Sequence, residues 1–158
     1  MDESLNQLVK ETELLDVWLK QSSCSCRTLP PSIDFTKVEI STNYDMEFNF
    51  QPSAGVLTCF ITCYAVGTIE KEEHFSFQNQ FVLLYKTEKS EVKENTLKDF
   101  TKTTALFNAY PFHREQIHTQ SVKMGLPPLI IPLLKSYSLR EEKDRESVKA
   151  GIRSDRSS

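Results

Sequence analysis

The clearest pattern in the chain is an alternation. Val38, Ile40, Thr42, Tyr44, Met46, Phe48 and Phe50 stand at even positions, and Lys37, Glu39, Ser41, Asn43, Asp45, Glu47 and Asn49 at odd ones. A period of two sends successive side chains to opposite faces, so this stretch predicts a strand with one wet face. Before it, Leu15, Val17 and Leu19 alternate with Asp16, Trp18 and Lys20, which predicts a first strand over Thr12–Cys26. Trp18 keeps the second face of that strand from being purely polar. After it, Gln51-Pro52-Ser53-Ala54-Gly55 predicts a turn. Val56–Val66 is apolar on both faces and therefore central, Gly67 to Glu73 reads as a charged hairpin loop, and His74–Tyr85 places Phe75, Phe77, Phe81, Leu83 and Tyr85 on one face.

The period then changes. Leu97, Phe100, Thr104 and Phe107 follow at helical spacing, with Ser90 as a candidate cap. Pro111 breaks that pattern and predicts the first turn of a second helical segment, which Gly125 ends. Leu5, Leu8 and Val9 share a face of a short N-terminal helix. The sum is an α+β fold: a four-stranded antiparallel sheet, a long broken C-terminal helix on one face and a short N-terminal helix. The uncovered sheet face must be wet or covered by another subunit.

Two apolar stretches belong to no regular element. In Thr28–Thr36 the Pro30-Pro31 pair removes two donors and favours extended backbone, yet Leu29, Ile33 and Phe35 are apolar. After Gly125 the segment LPPLIIPLLK reads as extended. An apolar loop either packs or binds something.

Composition narrows the field. Only 4 of 158 residues are glycine, and Gly55, Gly67, Gly125 and Gly151 are scattered, so no phosphate-cradling loop is spelled. The formal charge is −3, and residues 140–158 hold six basic and five acidic groups, which leaves 13 and 17 in the body. A mildly acidic body argues against nucleic acid as partner. The longest apolar run, Leu126–Leu134, holds three prolines and is too short to span a bilayer. Met1–Lys10 has no apolar core, so no signal peptide is expected and the protein reads as cytoplasmic. There Cys24, Cys26, Cys59 and Cys63 stay reduced and read as buried strand residues, since C-x-C and C-x3-C are not zinc spacings. His113 and His118 diverge on a helix, and no nucleophile motif, metal set or cofactor site stands out. One domain over residues 1–138 and a charged, largely disordered tail over 139–158 are expected.

The segment TALFNAYPFHREQIHTQSVKMGLPPLIIPLLK resembles the C-terminal half of the SecB-type export chaperones. Pro111, Phe112, Arg114 and Glu115 match the motif opening that family's main helix, with His113 in an alanine place. Gly125, Pro127, Pro128, Leu129, Ile130, Ile131 and Pro132 match its second motif. The resemblance spans residues 12–135. It implies an ATP-independent holdase that grips unfolded or precursor polypeptides in apolar grooves, as a homotetramer built from two dimers. Such members deliver precursors to the translocase motor SecA or serve one antitoxin of a toxin–antitoxin module. The client surface would be Leu29, Ile33 and Phe35 of the loop with Leu126, Leu129, Ile130, Leu133 and Leu134 of the tail. A sheet edge would pair across a dimer, and Thr103, Thr104, Ala105 and Phe107 would meet a second dimer. In the family two acids four apart on the first strand face SecA. Asp16 matches the first, but Lys20 stands at the second, and a like charge opposes a cationic partner. A hotdog-like thioesterase is the enzyme alternative, although its helix normally lies near the N-terminal half. A dedicated binding protein is the third reading.

Overall fold

The computed structural model describes residues 3–134. The expected tail over 139–158 lies outside them. The order is α1 (Glu3–Lys10), β1 (Thr12–Cys26), β2 (Glu39–Gln51), β3 (Val56–Ile69), β4 (Glu72–Thr87), α2 (Glu94–Phe100), a π-helical turn over Thr101–Ala105, and α3 (Leu106–Lys123). The strands form one antiparallel sheet in the order β1-β4-β3-β2. β3 is central, as its two apolar faces require.

Register fixes the two faces. Leu57, Cys59, Ile61 and Cys63 of β3 sit beside Tyr85, Leu83, Phe81 and Asn79 of β4. These odd positions face the helices, where Leu97, Phe100, Ala105, Leu106 and Ala109 meet them and α1 adds Leu5 and Leu8. A second cluster joins Ala65, Phe75 and Phe77 of the sheet to Tyr110 and Ile117 of α3. The even positions of β3 and β4 face away from the helices. One row across that outer face runs Trp18, Val82, Phe60, Glu47.

Three local expectations are corrected. The hairpin between β3 and β4 is not a loop from Gly67 to Glu73. It is a two-residue turn, Glu70-Lys71, with both φ values positive, at 51° and 69°. That turn matches the twist of its strands and lets both run longer. Ser90 does not cap α2; Lys93 occupies the N-cap position, and Glu94 puts an acid in the first turn. The helix does not break at Pro111, which lies inside α3. The irregularity comes earlier, in the threonine-rich turn. Thr101 Oγ1 donates to the Leu97 carbonyl at 2.8 Å and Thr103 Oγ1 to that of Asp99 at 2.7 Å. Hydroxyls that bond back one turn compete with the backbone ladder and bend helices.

Gly125 ends α3 as expected. Its φ is +78°, its N–H bonds the Val122 carbonyl at 3.1 Å, and Leu126 N–H bonds that of Ser121 at 2.9 Å. This pair of bonds is a Schellman stop. It turns the chain back, so that the apolar tail returns towards the loop after β1.

Candidate client-binding surface

The loop after β1 is not extended. Pro30–Ser32 and Phe35–Lys37 form two 3-10 turns, the first with proline at its start. Ser32 N–H bonds the Leu29 carbonyl at 2.8 Å, and Ile33 N–H that of Pro30 at 3.1 Å. A proline needs no donor at the start of a helical turn, so the pair fits there. Asp34 caps the second turn, accepting from Thr36 N–H at 3.1 Å and Thr36 Oγ1 at 2.6 Å. These bonds, with Lys37 3.6 Å away, hold the Asp34 carboxyl below its usual range.

The tail lies against the loop and α3. Its backbone is held at three points. Tyr110 donates its hydroxyl to the Pro132 carbonyl. Arg114 Nε donates to the Ile131 carbonyl at 3.0 Å, and Leu129 N–H donates to Ser121 Oγ at 3.0 Å. Burial, then the neighbouring Tyr44, pushes the Tyr110 phenol up, so it stays protonated and remains a donor. Side chains alternate in role along the tail. Leu126 and Ile131 are buried with Ile33 in the second cluster, whereas Ile130 is 70% and Leu133 67% exposed. Leu29, on the loop, is 76% exposed.

The structure therefore sorts the expected client residues. Leu29, Ile130 and Leu133 present apolar surface. Phe35, Leu129 and Leu134 are half-buried, and Phe35 is stacked on Phe75 at 6.3 Å. Ile33 and Leu126 are corrected from surface to core: each fills the space between sheet, α3 and tail. Among the helix residues, Phe107 is exposed and Thr103 and Thr104 half-buried, but Ala105 is fully buried in the core cluster between helix and sheet rather than on the surface. Its small side chain lets the wide turn approach β3.

Other features were not foreseen. Ser22, Asn79 and Gln120 close a ring of hydrogen bonds joining β1, β4 and α3: Ser22 Oγ donates to Asn79 Oδ1 at 2.7 Å, Asn79 Nδ2 to Gln120 Oε1 at 3.3 Å, and Gln120 Nε2 back to Ser22 Oγ. Asn79 also reaches His113 Nδ1 at 3.3 Å, which leaves the ring proton on Nε2, buried without a partner. Burial pushes the His113 pKa down to about 4. β1 and α3 expose Leu14, Leu15, Trp18, Leu19, Phe112 and Val122. A bulge between Leu19 and Gln21 lets Lys20 lie over the Phe60 ring, 5.3 Å from its centroid, on the face that also carries exposed Asp16. The cysteines divide: Cys59 and Cys63 are buried, their thiols pushed up to about 11 and about 12 by burial. Cys24 is exposed, which corrects its reading as buried, and Cys26 donates to the Thr28 carbonyl at 2.8 Å.

A four-stranded antiparallel sheet with helices on one face, a proline-rich crossover and an apolar return strap define the architecture. No protein-family model matches the chain, and no curated protein matches it in sequence. Among solved structures, Mycobacterium tuberculosis Rv1957, a SecB-like chaperone in complex with a ChAD peptide from the Rv1956 HigA1 antitoxin, aligns with a TM-score of 0.73 at 18% identity. The alignment covers 83% of this chain and 96% of that one. A protein of unknown function from Streptococcus agalactiae aligns with a TM-score of 0.39 at 12% identity, over 78% of this chain and 98% of that one. The fold of this chain is SecB-like. Among the described residues no helix is long and apolar enough to cross a membrane.

Proposed function

We propose that this protein is an ATP-independent holdase that binds unfolded polypeptide segments on the apolar surface of its crossover loop and tail. The observation that carries the reading is the clamped tail. Three hydrogen bonds hold its backbone while Ile130 and Leu133, like Leu29 of the loop, stay exposed. A folded protein that needed those side chains only for its core would bury them. Each is worth about 1.5–3 kcal/mol when a client buries it. Ordering a client costs about 1–2 kcal/mol per residue, so single contacts gain little and several surfaces held together gain by effective concentration. That favours assembly. The exposed apolar residues of β1 suit pairing with a second copy, and Phe107, Thr103 and Thr104 suit contact between two such dimers, giving a homotetramer in the cytoplasm.

A dedicated antitoxin is the favoured client. The SecB-like neighbour was solved with an antitoxin peptide, and Lys20, which lies over Phe60 and stands where the resemblance calls for a second acid, would oppose a cationic SecA tail. The test is suppression of aggregation of a chemically unfolded client, without nucleotide, together with the mass of the purified protein. Stoichiometric suppression by a tetramer supports the reading. No suppression of any unfolded client, the antitoxin of a neighbouring gene pair included, overturns it.

A further inference from the structure

The inner face of β4 is apolar except at one position. Phe75, Phe77, Phe81, Leu83 and Tyr85 are buried there, and Asn79 stands among them, fully buried. It marks a seam. Phe81, Leu83 and Tyr85, with Cys63 of β3, belong to the first core cluster, whereas Phe75 and Phe77, with Ala65, belong to the second. The hydrophobic effect is non-directional, so it presses α3 onto the sheet without by itself fixing the rotation of the helix.

The ring of Ser22, Asn79 and Gln120 sits at that seam. Asn79 uses its whole amide. Its Oδ1 accepts from Ser22, and the two protons of Nδ2 serve Gln120 Oε1 and His113 Nδ1. β1 is bent to join the ring. The register that β1 keeps up to Leu19 would bring Gln21 opposite Asn79 and Ser22 opposite Gln78. The bulge between Leu19 and Gln21 brings Ser22 to Asn79 instead. A bulge re-aims a side chain and interrupts the ladder.

α3 joins the ring to the tail. His113 and Gln120 stand two turns apart on one stripe of the helix. The residues that follow them, Arg114 and Ser121, form with Tyr110 the stripe that holds the tail backbone. Successive residues lie about 100° apart around a helix. The rotation of α3 that closes the ring therefore also decides where these three side chains meet the tail.

We propose that Ser22, Asn79, His113 and Gln120 are positioning residues for the client surface. They fix the rotation of α3 and so seat the tail that presents Ile130 and Leu133. This rests on the holdase reading and deepens it by naming the buried residues behind the surface. Replacing a satisfied polar network by apolar groups of similar shape is often neutral or stabilising. The ring thus contributes placement rather than stability, and the two can be measured apart.

The test uses the full-length protein and residue-resolved hydrogen exchange. Leu129 N–H, which donates to Ser121 Oγ, reports the tail, and Leu83 N–H, in the buried middle of β4, reports global opening. In Ser22→Ala/Asn79→Leu/His113→Leu/Gln120→Met the stability in urea should be kept. Leu129 should exchange at least about tenfold faster relative to Leu83, and the protein needed for half-suppression of an unfolded client should rise at least about fivefold. Ser22 is exposed on the edge strand, so Ser22→Ala supplies a folded variant if the quadruple one fails. It should speed Leu129 exchange at least about threefold, and Ser22→Thr, which returns a hydroxyl, should restore it. An unchanged ratio of Leu129 to Leu83 exchange in a folded variant overturns the proposal. So does equal exchange in Ser22→Ala and Ser22→Thr, or a loosened tail with client holding unchanged. Wild-type protein that holds no client removes the holdase reading instead, and the Leu129 ratio still decides whether the ring seats the tail.

Discussion

The ring of Phe75 lies where a side chain on its cross-strand neighbour Gly67 would have to stand. A Cβ on Gly67 would come within 2.2 Å of Phe75 Cζ. Phe75 in turn stacks on Phe35 of the crossover loop at 6.3 Å and meets Phe77 edge-on at 5.9 Å. The absence of one methyl group in β3 thus seats the loop that carries the candidate client surface. Gly67→Ala is expected to cost about 1–3 kcal/mol, the usual range for overpacking. Urea unfolding measures that loss, and faster hydrogen exchange at Ile33–Lys37 than at Phe81–Tyr85 would show the loop displaced.

His113 makes stability depend on pH. Its ring is buried, and its pKa falls to about 4 from an ordinary 6.5 because burial disfavours the charged form. The unfolded chain therefore binds the proton more tightly than the folded one. The stabilisation is complete above pH 6.5 and is lost as pH falls towards 4. From pH 7 to pH 5 the loss is about 2 kcal/mol, given about 1.4 kcal/mol per pH unit. His113→Gln should remove most of that slope in urea titrations at the two pH values. An unchanged slope would assign it to other groups.

The turn between β3 and β4 stores strain that can be removed. Glu70 and Lys71 both hold positive φ, which costs side-chain-bearing residues about 1–2 kcal/mol each. Lys71→Gly should raise stability by about 1 kcal/mol, after the larger backbone entropy lost on ordering glycine, and raise the melting temperature by a few degrees. Glu70 and Lys71 are exposed and are not among the residues of the proposed client surface, so client holding should not change.

The sheet and its order of elements were legible in the sequence because alternation is a local signal. Thr12–Cys26 is bounded as expected, and β3 is central as its two apolar faces demand. The errors arose where a local rule met a tertiary one. Pro111 reads as a helix break, yet tertiary packing keeps α3 continuous, and the true irregularity follows threonine hydroxyls that no hydrophobic period registers. Glu70-Lys71 is no usual turn pair, so the loop seemed longer than it is. At the site, apolar residues could be gathered from sequence but not sorted. Ile33 and Leu29 look alike as letters; only the 3-10 turn decides that one enters the core and the other faces out. Tyr110 and Arg114 clamp tail carbonyls, and no sequence pattern tells a side chain which backbone oxygen it will find.

The most direct measurement is aggregation suppression by the triple variant Leu29→Asp/Ile130→Asp/Leu133→Asp. These three side chains are exposed, so the variant should keep the wild-type mass and thermal stability. Charges there should abolish the favourable burial of client side chains, and the protein needed for half-suppression of an unfolded client should rise at least about tenfold. A folded triple variant that holds the client as well as wild type would contradict the assignment of this surface.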